Sequence, residues 1–84
     1  MKIVFFGNHI YGYYSLTEMI SNQIIPDLVV TNIPRKQEIV WYPSVAELAS
    51  SNNIELIRHN RIDSSEEVIT AIEDVMPDLL VVSS

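Results

Sequence analysis

Cysteine is missing from all 84 residues of this chain, and its absence excludes disulfide bridges, thiolate zinc sites and cysteine nucleophiles. Glycine and positive charge are scarce as well. The chain has two glycines, and five Lys or Arg stand against eleven Asp or Glu, which gives a formal net charge of -6. Because this acidity disfavours nonspecific attraction to phosphate backbones or anionic membranes, nucleic acid is not an expected partner.

Long hydrophobic runs are also missing. The amino-terminal apolar run extends only from Ile3 to Phe6 before Gly7 interrupts it, which is too short for the core of a signal peptide. No other run approaches the ~20 residues of a membrane span. The sequence therefore predicts a cytoplasmic protein with no membrane segment, and its length fits one small domain over residues 1–84.

What the sequence does contain is an alternation of short apolar runs and amphipathic segments. The continuous runs predict four strands, and apolar residues at helical spacing predict three helices between them. Strands are expected at 3–6, at 28–31, from 54 to an end near 58–60, and at 79–82, and helices at about 13–23, from Ser44 and from Ser64. The last two helices begin with capping-box patterns. This is the β-α-β-α-β-α-β order of an α/β protein.

Several side chains have expected roles within that pattern. Ser15 or Thr17 is expected to satisfy free amides near the start of the first helix. The first, second and fourth strands are expected to be covered on both faces. The third helix is expected to bury its apolar side chains, which are Val68, Ile69, Ile72, Val75 and Met76.

Two stretches repeat the same motif, Ile-Pro-Asp-Leu-Val-Val at 25–30 and Met-Pro-Asp-Leu-Leu-Val-Val at 76–82. Each stretch is the end of a helix followed by a strand, so the repetition indicates a repeated βα unit. Right-handed crossovers then predict a parallel sheet of order 3-2-1-4 with a topological switch between strands one and four. The expected fold is a Rossmann-like half domain in three layers. It is expected to be truncated, because the loop after strand four would lie beyond Ser84.

Ligands of such folds bind beyond the carboxyl ends of the strands at the switch point. The turn after the first strand, Gly7 to Gly12, lies there, and we predict Asn8, His9 and Tyr11 as substrate contacts. Asn8 could equally satisfy amides of the turn. The tyrosines of this segment could stack on a base or sugar, with at least one of them packing in the core.

Other site types fit less well. The two glycines do not complete Gly-x-Gly-x-x-Gly, and Thr31 and Asn32 stand where an acidic residue would hold a ribose. His9 and His59 are expected about 10 Å apart, on opposite sides of strand two, which is too far for one metal ion. Asp63 is placed in a turn. An Arg-Lys pair at 35–36 could meet a phosphate or an RNA end, although two exposed loop charges explain it as well.

Four stretches share their order and spacing with a known family. They are Met-Lys-Ile-Val-Phe-Phe-Gly at 1–7, Ser-Leu at 15–16, Pro-Ser-Val-Ala-Glu-Leu-Ala at 43–49 and Pro-Asp-Leu-Leu-Val-Val at 77–82. Together they resemble the amino-terminal segment of the formyltransferases, among them methionyl-tRNA formyltransferase and the nucleotide-sugar N-formyltransferases. The resemblance covers essentially the whole chain.

The resemblance implies transfer of a formyl group from 10-formyltetrahydrofolate to an amine. The family's catalytic Asn, His and Asp follow the fourth strand, so they would lie beyond Ser84. The resemblance therefore implies no catalytic residue and no cofactor contact within this chain, which is expected to be inactive alone.

Two departures bear on the acceptor. The tRNA-acting members have Gly-Thr-Pro-Glu-Phe-Ala-Val-Pro-Ser-Leu after the first strand, where this chain has Gly-Asn-His-Ile-Tyr-Gly-Tyr-Tyr-Ser-Leu at 7–16. Their long basic loop is reduced here to residues 33–38. Both changes are more like the enzymes that act on small amino sugar nucleotides.

The alternative is a noncatalytic Rossmann-like module for interaction or small-ligand binding. If the fourth strand, from Leu79 to Val82, lacks a further neighbour, its open edge invites pairing with another chain. The sequence therefore also predicts self-association through this strand.

Overall fold

The structure is a computed structural model that describes residues 1–33, 44–59 and 66–83. Strands and helices alternate along these ranges as the sequence predicts. In chain order they are β1 (Ile3–Gly7), α1 (His9–Ser21), β2 (Leu28–Thr31), α2 (Val45–Ser51), β3 (Glu55–Arg58), α3 (Glu66–Val75) and β4 (Leu79–Ser83).

The four strands form one parallel sheet of order β3-β2-β1-β4. Phe5, in the middle of β1, is in register with Val29 of β2 on one side and with Val81 of β4 on the other. The order confirms the predicted 3-2-1-4 topology. Its switch point lies between β1 and β4, because the chain runs outward to β3 and then crosses back.

Apolar side chains of the central strands alternate between two clusters on opposite faces of the sheet. Phe5 and Val29 pack with Leu16 of α1 and Val45 of α2. The neighbouring residues of the same strands pack on the other face against Val68 of α3. Since successive residues of a strand point to opposite faces, the sheet lies between α1 and α2 on one face and α3 on the other. This three-layer α/β arrangement is Rossmann-like.

The repeated Pro-Asp motif builds the same hydrogen-bond pair on each side of the start of β1. Asp27 donates its backbone N–H to the Ile3 carbonyl at 2.8 Å and accepts the Ile3 N–H at Oδ2, also at 2.8 Å. Asp78 makes the equivalent two bonds with Lys2, each at 2.8 Å. Both aspartates therefore hold the amino end of β1 in register with the strand that follows them.

The start of α1 differs from the prediction. The helix begins at His9 rather than near position 13 and ends at Ser21 rather than 23, because Gly12 already donates its N–H to the Asn8 carbonyl at 3.0 Å. The expected caps are wrong as well. Thr17 donates its hydroxyl to the Tyr13 carbonyl, and Ser15 bonds the hydroxyl of Ser83.

The start of α2 agrees with the prediction. The Ser44 hydroxyl accepts the N–H groups of Ala46 and Glu47 at 3.0 and 3.3 Å, which satisfies two of the free amides at a helix start. The predicted cap of α3 at Ser64 lies outside the described residues.

The outer strand β4 is not covered on both faces, contrary to the prediction. Leu80 is 52% exposed and Val82 is 75% exposed. The cluster under α3 contains residues of β1, β2 and β3 but none of β4, so that helix covers the other part of the sheet. The predicted buried face of α3 is also wrong at Ile69 and Met76, which are both exposed. None of the helices in the described ranges is long and apolar enough to cross a membrane.

Candidate functional site

Two glycines set the geometry at the carboxyl end of β1. A Cβ atom on Gly12 would lie 2.9 Å from the carbonyl carbon of Gly7. A Cβ atom on Gly7 would lie 2.3 Å from Cε1 of Phe5. Helix α1 therefore begins directly against the end of the strand, with a single residue between the two elements. Gly7 and Gly12 are separated in the sequence by the same number of residues as the first and last glycines of a dinucleotide-binding turn.

His9 occupies the position of the middle glycine of such a turn. It has φ of 59°, a left-handed backbone conformation that costs a residue with a Cβ about 1–2 kcal/mol. The middle glycine of the dinucleotide turn lets the backbone approach a pyrophosphate, whereas the residue at this position here carries a side chain. The turn therefore lacks the middle glycine of a dinucleotide-binding turn, and it presents an exposed histidine at the switch point instead.

Asn8 joins the turn to the neighbouring strand. Its Oδ1 accepts the Thr31 hydroxyl at 2.9 Å and the Asn32 N–H at 2.6 Å, so the end of β2 is held against the turn. These bonds match the alternative in which Asn8 satisfies groups of the fold. They give it a positioning role, and its contact with a substrate stays a prediction.

The three tyrosines of α1 divide between the core and the surface. Tyr13 is half-buried and packs against the α1–α2 core cluster, as expected for at least one of them. Tyr11 is 69% exposed and Tyr14 is 61% exposed. Tyr11 lies on the first turn of α1, two residues after His9.

Ser83, at the carboxyl end of β4, is a residue that sequence reasoning missed. Its carbonyl accepts the Asn8 N–H at 3.3 Å, its hydroxyl lies 2.8 Å from that of Ser15, and it donates to the Tyr11 carbonyl at 3.3 Å. The turn is thus held to β4 on one side and to β2 on the other. A signal was present in the sequence, since both Thr31 and Ser83 are polar residues that end apolar strands.

Of the remaining sequence candidates, His59 lies within the described residues. The His59 N–H donates to the Thr31 carbonyl at 3.0 Å and extends the β3–β2 ladder. Among the residues that the structure describes, no three His, Asp or Glu side chains come together as metal ligands would. The Arg-Lys pair at 35–36 and Asp63 lie outside the described ranges.

An open surface groove of about 380 Å³ lies between α2 and β3. Leu56 forms part of its wall, and Glu47 and Arg58 are among its charged residues. The groove is not lined by any residue of the turn after β1, so it is separate from the candidate site.

No protein-family model matches this chain, and no curated protein matches it. The fold and the candidate site therefore define only a structural class of protein. The chain is a Rossmann-like α/β unit whose switch-point turn presents a histidine in place of the glycine that a dinucleotide requires.

Proposed function

We propose that this chain is the amino-terminal part of a formyltransferase that uses 10-formyltetrahydrofolate and acts on an amino sugar nucleotide. In this proposal the chain supplies the scaffold and the acceptor-facing turn, with His9 and Tyr11 contacting the acceptor and Asn8 holding the turn in place. The supporting observation is the exposed side chain of His9 at the switch point, where ligands of such folds bind.

The charge of the chain and the exposed Tyr11 ring favour a small acceptor over tRNA. A formal net charge of -6 opposes the phosphate contacts that supply most of the affinity for nucleic acids. Tyr11 offers one exposed ring, which suits stacking on one base or sugar. The methionyl-tRNA alternative is therefore less consistent with this chain.

The proposed reaction is acyl transfer. The acceptor amine nitrogen would form a bond to the formyl carbon, polar groups would stabilise the oxyanion, and the bond from that carbon to the folate nitrogen would break. A general base would take a proton from the amine, and the folate nitrogen would receive one as it leaves. The resemblance assigns these steps to residues beyond position 84. None of the described residues is assigned to the folate, and the chain alone is proposed to bind acceptor without transferring formyl.

The test is a titration of the ¹⁵N-labelled chain with UDP-glucosamine, followed by NMR. Shifts are expected at Asn8, His9 and Tyr11, with smaller changes at Ser83, which bonds two of those residues. UDP-glucose, which has a hydroxyl in place of the amine, is the matched control and is expected to bind more weakly. Shifts confined to other surfaces, or no shifts at all, would contradict the proposal.

Replacing His9 tests the turn directly. His9→Gly is expected to stabilise the chain by about 0.5–1 kcal/mol, because glycine adopts positive φ without strain. The same change is expected to weaken UDP-glucosamine binding about tenfold, the loss of one good contact. His9→Asn, whose side chain also tolerates this backbone, is the control for altered chemistry without added flexibility. Unchanged UDP-glucosamine binding by the His9→Gly variant would show that the imidazole does not contact the acceptor.

A noncatalytic module is the second candidate function, and the exposed strand β4 favours it. Calorimetry with tetrahydrofolate is expected to give no binding heat under the formyltransferase proposal, whose folate contacts lie elsewhere. Clear heat with tetrahydrofolate would show that the chain holds more of the site than proposed. A turn that responds to no nucleotide sugar, in a chain that still self-associates, would favour the module.

A further inference from the structure

The outer side of β4 offers unpaired backbone groups. Leu79 donates its N–H to the Lys2 carbonyl, and the Ser83 carbonyl accepts from Asn8, so both residues direct their polar groups toward β1. Backbone groups of successive strand residues alternate in direction. Leu80 and Val82 therefore direct their N–H and C=O groups away from β1, where no strand of the described chain lies.

Within the described residues, strand β4 has no charge, proline or bulge that would protect this edge against pairing. Natural edge strands carry charges, proline or a bulge that discourage another strand. The opposite edge, β3, has Glu55 and Arg58, both exposed. In contrast, β4 is Leu-Leu-Val-Val-Ser, and it is in register with β1 at every one of its five residues. It has the composition of an interior strand.

We propose that β4 pairs with β4 of a second copy of this chain, antiparallel and about a two-fold axis through Val81, to form one eight-stranded sheet. A two-fold axis perpendicular to a sheet keeps each face on its own side, so paired residues must point to the same face. Centring on Val81 achieves this, because Leu80 then lies opposite Val82 of the second copy. Leu80 and Val82 are the residues with outward backbone groups, so the two strands exchange four hydrogen bonds.

Charge also favours this register. The ladder itself contains no charged residue. The nearest acid, Asp78, lies three positions before the axis, so the two copies of Asp78 are about 20 Å apart along the strands. That distance exceeds twice the Debye length of about 8 Å at physiological salt, so repulsion between the two copies of Asp78 is largely screened. A second copy is thus a fitting occupant, since it supplies an uncharged strand of the same length.

Single cysteines test the register, and the chain has no cysteine that would interfere. Residues at the axis form a non-hydrogen-bonded pair with Cα atoms about 4.5 Å apart, within the range of a disulfide. Val81→Cys is therefore expected to form a covalent dimer under mild oxidation. Val82→Cys is the matched control. Its side chain is more exposed, but two copies would lie about 8 Å apart, and they are expected to cross-link poorly.

Sedimentation velocity tests the association itself. The unmodified chain is expected to rise from monomer to dimer mass over a roughly hundredfold increase in concentration, since the small strand interface predicts weak binding. Val82→Pro removes an outward N–H, which an edge strand tolerates, and is expected to keep the chain monomeric. Val82→Ala keeps that N–H and is expected to retain association. Circular dichroism at low concentration checks that each variant is folded.

Three outcomes would overturn the proposal. The first is a monomer mass for the unmodified chain at every concentration. The second is stronger cross-linking of Val82→Cys than of Val81→Cys, which would indicate random collision. The third is a Val82→Pro variant that still dimerises, which would place the contact on another surface. Each result is independent of nucleotide-sugar binding, so this inference and the proposed function fail separately.

Discussion

Residues 25–31 and 76–82 are two copies of one local structure placed in different surroundings. Each runs from Pro-Asp into an apolar strand, and each aspartate makes the same two bonds to the start of β1. Yet Leu28 and Val29 in the first copy are fully buried, whereas Leu79 and Leu80 in the second are 45% and 52% exposed. Similar sequences thus form the same local backbone structure, although the side chains of one copy are buried and those of the other are about half exposed.

The difference shows that burial depends on neighbours which the local sequence does not encode. β2 lies between β1 and β3, while β4 has β1 on one side only. Parallel strands with continuous apolar sequences are normally covered on both faces. β4 therefore has the sequence of an interior strand at the position of an edge strand, which is the physical reason for proposing a partner there.

A lysine substituted at equivalent positions of the two Pro-Asp motifs is expected to give the largest difference in stability. Val29→Lys places an unpaired ammonium in the core cluster beneath α1 and α2. It is expected to remove more than about 4 kcal/mol of stability, enough to unfold most of a chain of this size. Leu80→Lys, at the matching position of β4, is expected to change stability by less than about 1 kcal/mol. Circular dichroism and urea unfolding of dilute samples measure both. An unfolded Leu80→Lys variant would show that β4 is covered in solution.

Replacing the leucine after each Pro-Asp with alanine is expected to give a smaller difference in stability between the two motifs. Leu28→Ala is expected to cost about 3 kcal/mol, because it leaves a cavity among Val4, Val30 and Val68. Leu79→Ala is expected to cost less than about 1 kcal/mol, since much of its side chain is already in water. The free energy of unfolding in urea gives both values. A loss for Leu79→Ala that grows with protein concentration would reveal burial of β4 in a dimer.

The topology was predictable from the sequence, because apolar runs mark the strands and right-handed crossovers leave few arrangements for them. The repeated Pro-Asp motif was also read correctly as a repeated unit. The exposure of β4 was not predicted, since a run such as Leu-Leu-Val-Val has the same local signal at an edge as in the interior. Nothing local distinguishes the two positions.

The candidate site was predictable in part. The place of Asn8 and His9 at the switch point followed from the strand order. The bonds from Asn8 to Thr31 and from Ser83 to the turn are tertiary contacts between distant segments, which no local pattern contains. The helix was predicted to begin too late because the polar and aromatic residues up to Gly12 read as a turn, whereas close packing of Gly12 on Gly7 places the first turn of α1 there.

Replacing Asp27 and Asp78 is expected to give the smallest difference in stability between the two motifs. Asp27→Ala leaves the N–H of the buried Ile3 without its carboxylate partner and is expected to cost about 1–2 kcal/mol. Asp78→Ala frees the N–H of Lys2, which is exposed and gains a water instead, so a loss of about 0.5 kcal/mol or less is expected. Asn at either position keeps a side-chain oxygen and is expected to recover most of the loss. Equal losses at the two sites would mean that β4 is as well shielded as β2, which in dilute solution would contradict its place at an open edge.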